Sequence, residues 1–176
     1  FDLIECSGVL HHMQDPFKGL SNLLESLEPK GFLKLGLYSK YARKEILKAR
    51  ELIKETNIKP NLDEIRSFRN DVLNANIKNL SKITNWSDFY STSMCRDLCF
   101  HSQEKCYSLI DITNMIEKTN LEFLGFTLSK DIKDKYQNKH KDIESLKDLH
   151  LWDKFEETNP NSFREMYQFW TRKSIK

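Results

Sequence analysis

The stretch Phe1–Gly36, FDLIECSGVLHHMQDPFKGLSNLLESLEPKGFLKLG, decides how the rest of the chain is read. Residues 2–7, with Leu3, Ile4 and Cys6 as their apolar members, read as a short buried strand ending at Gly8. Asp15-Pro16 then supplies a helix cap and a proline preset for the first turn. Phe17, Leu20, Leu23, Leu24 and Leu27 follow at helical spacing, so a helix over about 16–28 is expected to bury one face. Pro29 and Gly31 punctuate the turn after it. Leu33, Leu35 and Leu37 share one face of the next strand, over 32–38. Strand, helix and strand with short links imply a right-handed parallel unit of an α/β sheet. His11 and His12 stand at the strand-to-helix junction, where they could bind metal, move a proton or wall a cofactor pocket.

Outward from that unit, the chain is helical and heavily charged from Tyr41 to about Asn79. Asn61-Leu62-Asp63-Glu64 reads as a capping box, and Leu62, Ile65, Phe68, Val72 and Ile77 trace an apolar stripe. A polar stretch rich in aromatic and sulfur residues follows over 86–107. Ser108 and Asp111 cap a further helix carrying Leu109, Ile112, Met115 and Ile116, and a strand is expected over 121–128 in the same sheet. Residues 141–158 read as helix, with Leu146, Leu149, Trp152 and Phe155 buried. A last strand over 164–173 is expected to run antiparallel beside 121–128. No internal repeat or low-complexity segment is visible.

The 176 residues suit one domain with a sizeable core. Lys and Arg number 28 against 26 Asp and Glu, a near balance that offers no global attraction to nucleic acid or an anionic membrane. No run approaches the roughly 18 apolar residues of a membrane span, and no signal peptide is seen. Four cysteines are too sparse for a disulfide framework, so a cytoplasmic setting is expected. The sequence opens inside a strand without an initiator Met. A missing upstream portion is the expectation.

Cys6-Ser7-Gly8-Val9-Leu10-His11-His12 lies just beyond a strand end, where open α/β sheets bind ligands. Here the sequence resembles the class I S-adenosylmethionine-dependent methyltransferases, whose fourth strand commonly reads FDxIxCxGVLHHxxDP and whose fifth is introduced by LxPGGxLxLG. The matching residues are Phe1-Asp2-Leu3-Ile4, Gly8 to His12, Asp15-Pro16 and Leu27-Glu28-Pro29-Lys30-Gly31, with Lys30 where glycine is usual. The helix and strand of 108–128 and the run Met166–Trp170 are similar to the family's late elements. CRDLCFHSQEKCYSL, residues 95–109, resembles an insertion in some bacterial members. The family's glycine-rich cofactor loop, and the acidic residue after its second strand, are not found. The five glycines form no G-x-G pattern.

The resemblance implies the C-terminal part of a Rossmann-like class I methyltransferase sheet with a helical insertion. It implies a single partial domain over 1–176 with an insertion or lid at 41–107. It implies S-adenosylmethionine as cofactor, walled by Ser7, Gly8, Val9 and His11, and poor binding by this portion alone. One histidine is expected to cap the helix start while the other faces the pocket; His11 and His12 are also the candidate general bases. Adjacent histidines on a turn point apart and lack an obvious third ligand, so no metal is expected. Cys95 and Cys99 share a helix face as small apolar groups, and Ser102 breaks the C-x3-C-x2-C iron–sulfur spacing. Arg96, Asp97, His101, Gln103 and Glu104 read either as a solvated helix face or as part of a lid. In the lid reading Arg96, His101 and Gln103 meet the substrate, with Tyr38 and Tyr41 as aromatic walls and Arg43 close by. The methyl acceptor is open, with a small molecule or protein favoured over nucleic acid. The alternative is a non-catalytic α/β interaction module that keeps the scaffold.

Overall fold

The computed structural model describes residues 1–101 and 103–174. In chain order these form β1 (Leu3–Ser7), α1 (Pro16–Ser26), β2 (Phe32–Leu37), α2 (Lys44–Glu55), α3 (Leu62–Leu73), α4 (Thr92–Phe100), α5 (Leu109–Thr119), β3 (Leu121–Phe126), α6 (Lys130–Lys139), α7 (Leu149–Thr158) and β4 (Tyr167–Lys173). The chain divides into two compact units, Phe1–Ala42 with Gln103–Lys176, and Arg43–Ser102.

The first unit is an α/β layer around a four-stranded sheet of order β1-β2-β4-β3. β1 runs parallel to β2, with Leu3 opposite Phe32 and Ser7 opposite Gly36. β4 runs antiparallel between β2 and β3, with a register shift between Phe123 and Gly125. The alternation of β2 and β4 explains the sidedness of the sheet. Leu33, Leu35, Leu37, Tyr167, Phe169 and Thr171 are buried, whereas Phe32 on the opposite face is 43% exposed. Phe32 and Trp170 help line a hollow of about 410 Å³ on that face, with Leu124 to Phe126. β1 is an edge strand, and its Leu3 is 55% exposed.

Asp15 caps α1 by accepting from the Lys18 amide, with Pro16 in the first turn. No histidine side chain caps this helix, because the aspartate already occupies that position. Leu20 and Leu27 are buried as expected, but Phe17 is exposed. Ser108 and Asp111 form the expected reciprocal capping box on α5.

Two departures lie in the last third. Residues 130–139 form α6, a helix whose mostly charged sequence carries little apolar periodicity. Residues 141–158 are not one helix: a short 3-10 turn over Ile143–Lys147 precedes α7. Asp148 restarts the helix by accepting from the His150 and Leu151 amides. The Trp152 indole donates to the Leu146 carbonyl, which fixes the break. Trp152 also stacks on Tyr136 of α6 at 3.6 Å between centroids, so α6 is held by its one fully buried ring rather than by a stripe.

The second unit packs α2, α3 and α4 around Ile46, Ile53, Phe68, Val72, Phe89 and Leu98. Cys95 and Cys99 are buried within this core. The Asn61 side chain accepts from the Glu64 amide at the start of α3, while Leu62 of the expected stripe is exposed. Among the described residues no helix is long and apolar enough to cross a membrane.

Lys30 adopts a left-handed conformation with φ 65°, at the turn position where glycine would carry no steric penalty. Lys30→Gly is therefore expected to stabilise the first unit by about 1 kcal/mol. A thermal melt should show a midpoint raised by a few degrees, and an unchanged or lowered midpoint would contradict this.

Candidate functional site

β1 and β2 are parallel, so both chains leave the sheet at one end, and β4 enters there. Gly8 follows β1 with φ 75°, and its amide donates to the Gly36 carbonyl at 3.2 Å. A Cβ built on Gly8 would meet nothing within 4 Å. The space is open, yet the left-handed backbone penalises any branched side chain. Gly8→Val would therefore strain the fold itself. The Ser7 hydroxyl is enclosed and, among the described residues, has no hydrogen-bond partner. Val9 is exposed.

Leu10–His12 then form a single 3-10 turn. His11 is fully buried, with its ring 3.9 Å from that of Tyr38 and 4.3 Å from that of His12. The His11 carbonyl accepts from the Lys105 amide at 2.8 Å, and the Lys105 ammonium donates to the Gln14 carbonyl. The Tyr107 amide donates to the Tyr38 carbonyl, and the Lys40 amide to the Tyr107 carbonyl. The strand ends of the first unit thus hold three packed rings, His12 edge-on to His11 and His11 tilted against Tyr38, clamped by the returning segment at 105–107.

Of the other sequence-derived candidates, Tyr41 belongs to this unit and donates to Glu157 at 3.3 Å. Burial, followed by the charges of Asp153 and Glu157, pushes its hydroxyl up to about 12. Gln103 is exposed at the return of the chain. Arg96 and His101 lie in the second unit, where the exposed Arg96 guanidinium donates to the Pro60 carbonyl. Ser102 lies outside the described residues. A separate hollow of about 420 Å³ lies where β3 ends and β4 begins, with Thr127, Ile132, Phe163 and Met166 in its wall.

Sequence reasoning missed Glu156. It falls on the buried stripe of α7, four residues after Trp152, and is 0% exposed. Its two carboxyl oxygens accept from Ser39 Oγ and the Tyr167 hydroxyl, each at 2.5 Å. Ser39 Oγ in turn accepts from the Ala42 amide at 3.0 Å. Burial pushes the carboxyl up to about 7, with Asp153 adding to the shift and both hydroxyls opposing it. A carboxylate among Leu149, Trp152 and Phe155 was the available signal, because charged groups are rarely buried without a partner.

No family model matches the sequence. An uncharacterized protein of Synechococcus is 30% identical over 134 residues, which are 72% of this chain and 32% of that protein. The structure of PKMT2 from Rickettsia typhi matches with a TM-score of 0.66 at 16% identity, over 97% of this chain and 35% of that one. PKMT2 in complex with AdoHcy matches with a TM-score of 0.68, again at 16% identity, over 97% and 36%. The chain therefore spans about a third of the length of these proteins. Its mixed α/β fold is shared with the matching portion of PKMT2.

The raised Glu156 carboxyl has a definite consequence for stability. In the folded protein it holds its proton up to about pH 7, whereas the unfolded chain releases it near 4.5. Its contribution is fully present below 4.5 and declines as pH rises to about 7, then stays flat. The decline is at most ~1.4 kcal/mol per pH unit. Denaturant titrations across pH 4.5–8 should show this fall in wild type relative to Glu156→Gln. Parallel pH profiles for the two would contradict the assignment.

Proposed function

We propose that the chain is part of an S-adenosylmethionine-dependent methyltransferase and forms one wall of its cofactor site. The observation that carries this reading is the Ser7–His12 loop at the strand ends of a sheet whose fold is shared with an AdoHcy-bound protein. AdoHcy is what S-adenosylmethionine becomes on giving up its methyl group. The residues present fit such a ligand. Ser7 Oγ is an enclosed polar atom without a partner among the described residues, and the space beside Gly8 is open for close backbone approach. The cofactor would supply a methyl group on a sulfonium sulfur, ready for in-line displacement.

In that reading Ser7, Gly8, Val9 and His11 line the cofactor, and its remaining contacts come from outside these 176 residues. The chain's own work is mostly positioning, since in-line transfer demands alignment of donor and acceptor more than covalent help. The His11–Tyr38 ring contact gives the wall rigidity, because the fully buried His11 ring cannot swing without unpacking its neighbour. His11 or His12 would take the acceptor's proton when the acceptor carries one of suitable pKa. Tyr38, Tyr41 and Gln103 of the first unit are proposed to contact the acceptor, a small molecule or protein side chain rather than nucleic acid. A cytoplasmic location accords with this chemistry.

Calorimetry on the intact protein tests the reading. S-adenosylmethionine and AdoHcy should both bind, and Ser7→Ala should weaken each by about tenfold, the order of one hydrogen bond. Tyr41→Phe should leave those affinities unchanged and raise the acceptor KM. Failure of the intact protein to bind either compound would favour a non-catalytic interaction module on the same scaffold.

A further inference from the structure

Helix α7 sends one carboxyl group into the interior of the first unit, and the residues around it are unusual for a charged side chain. Glu156 touches two hydroxyls, Ser39 on the segment leaving β2 and Tyr167 at the start of β4. Both of those residues are themselves buried, Ser39 at 1% and Tyr167 at 0% exposure. Among the described residues Glu156 has no ion pair. The ionisable neighbours that act on it or feel it are Asp153 on its own helix, Tyr167 on β4 and Tyr41 on the β2 exit segment. None brings a positive charge. Lys40, the cation of that segment, is taken by Asp111 at 2.7 Å.

The contacts form a chain from helix to backbone. Ser39 Oγ donates to Glu156 and accepts from the Ala42 amide, so the carboxyl holds a turn of main chain through one hydroxyl. We infer that Glu156 is a positioning residue that keeps the Ser39–Ala42 segment closed while its carboxyl is neutral and loosens it on ionisation. A neutral acid can donate to one hydroxyl and accept from the other, satisfying the site without charge. An ionised carboxylate there is stripped of water and has no counter-charge, a state that opening of the segment relieves by hydration. The closed form therefore binds the proton more tightly than the open form, and by linkage its population falls as pH rises. The raised value of about 7 puts the transition near neutrality. Tyr38 and Tyr41 flank Ser39 and Lys40, so any effect on the methyl acceptor rests on the function proposed above. The latch itself does not.

Amide hydrogen exchange on the intact protein without ligand tests it, with rates over 39–42 corrected for intrinsic exchange. Between pH 6 and 8, wild-type protection of this segment should fall by about tenfold. Glu156→Gln, which keeps a donor and an acceptor in place, should stay protected with no pH dependence. Ser39→Ala leaves the carboxyl bonded to Tyr167 and should show low protection at every pH. Glu156→Ala should match it if it folds, and the other two variants decide the matter if it does not. A flat wild-type profile, or the same slope in Glu156→Gln, would overturn the inference. Because no cofactor or acceptor is added, failure of the methyltransferase reading would leave this result standing.

Discussion

Strand β2 is hydrogen-bonded along both edges, parallel to β1 on one side and antiparallel to β4 on the other. That double pairing is the constraint on which the first unit depends. It removes the main-chain groups of Phe32–Leu37 from solvent and drives Leu33, Leu35 and Leu37 into full burial. It also sets direction. The parallel partner brings Ser7 to Gly36, and the antiparallel partner brings Tyr167 to Leu37, so three chain segments meet at one end of the sheet.

Close packing at that end depends on small groups. A Cβ on Gly36 would lie 2.8 Å from both the Met166 sulfur and the Ser7 side chain, so glycine is what lets β1 and the approach to β4 crowd against β2. His11 and Tyr38 then pack ring against ring across the two strand ends, and the returning segment at 105–107 ties down both main chains. The result is a rigid end where, among the described residues, the buried Ser7 and Tyr107 hydroxyls have no hydrogen-bond partner and a Cβ on Gly8 would meet open space. Rigid surroundings with a few unsatisfied polar atoms are what ligand sites are made from.

Glu156 shows the cost of such an arrangement. An apolar residue on that stripe of α7 would avoid the desolvation of a carboxyl, and the fold instead keeps one, bonded to two neutral hydroxyls. Stability is surrendered as pH rises toward neutrality, and a connection is gained between α7, β4 and the exit of β2. Buried polar groups that satisfy one another specify geometry more sharply than apolar contacts do.

The α/β class was legible in the first 37 residues, because local signals there agree with tertiary demand. Asp15-Pro16 caps what it should cap, Leu20 and Leu27 face inward, and alternating leucines mark β2. Elements held by distant contacts were not legible. α6 has almost no apolar periodicity and is anchored by Tyr136 against Trp152. The break before α7 depends on an indole reaching the Leu146 carbonyl, and Phe17 is exposed despite its helical spacing. At the strand ends, the histidines could be named from the sequence, but not the packing of His11 against Tyr38 or the left-handed Gly8. The sequence by itself determined where β2, β3 and the helices capped by Asp15, Asn61 and Ser108 begin, since capping and periodicity act over three or four residues. Only the tertiary structure decided which polar groups meet. Ser39, Glu156 and Tyr167 come together from separate elements, and an energy set by burial and by partners distant along the chain leaves no mark on a local pattern.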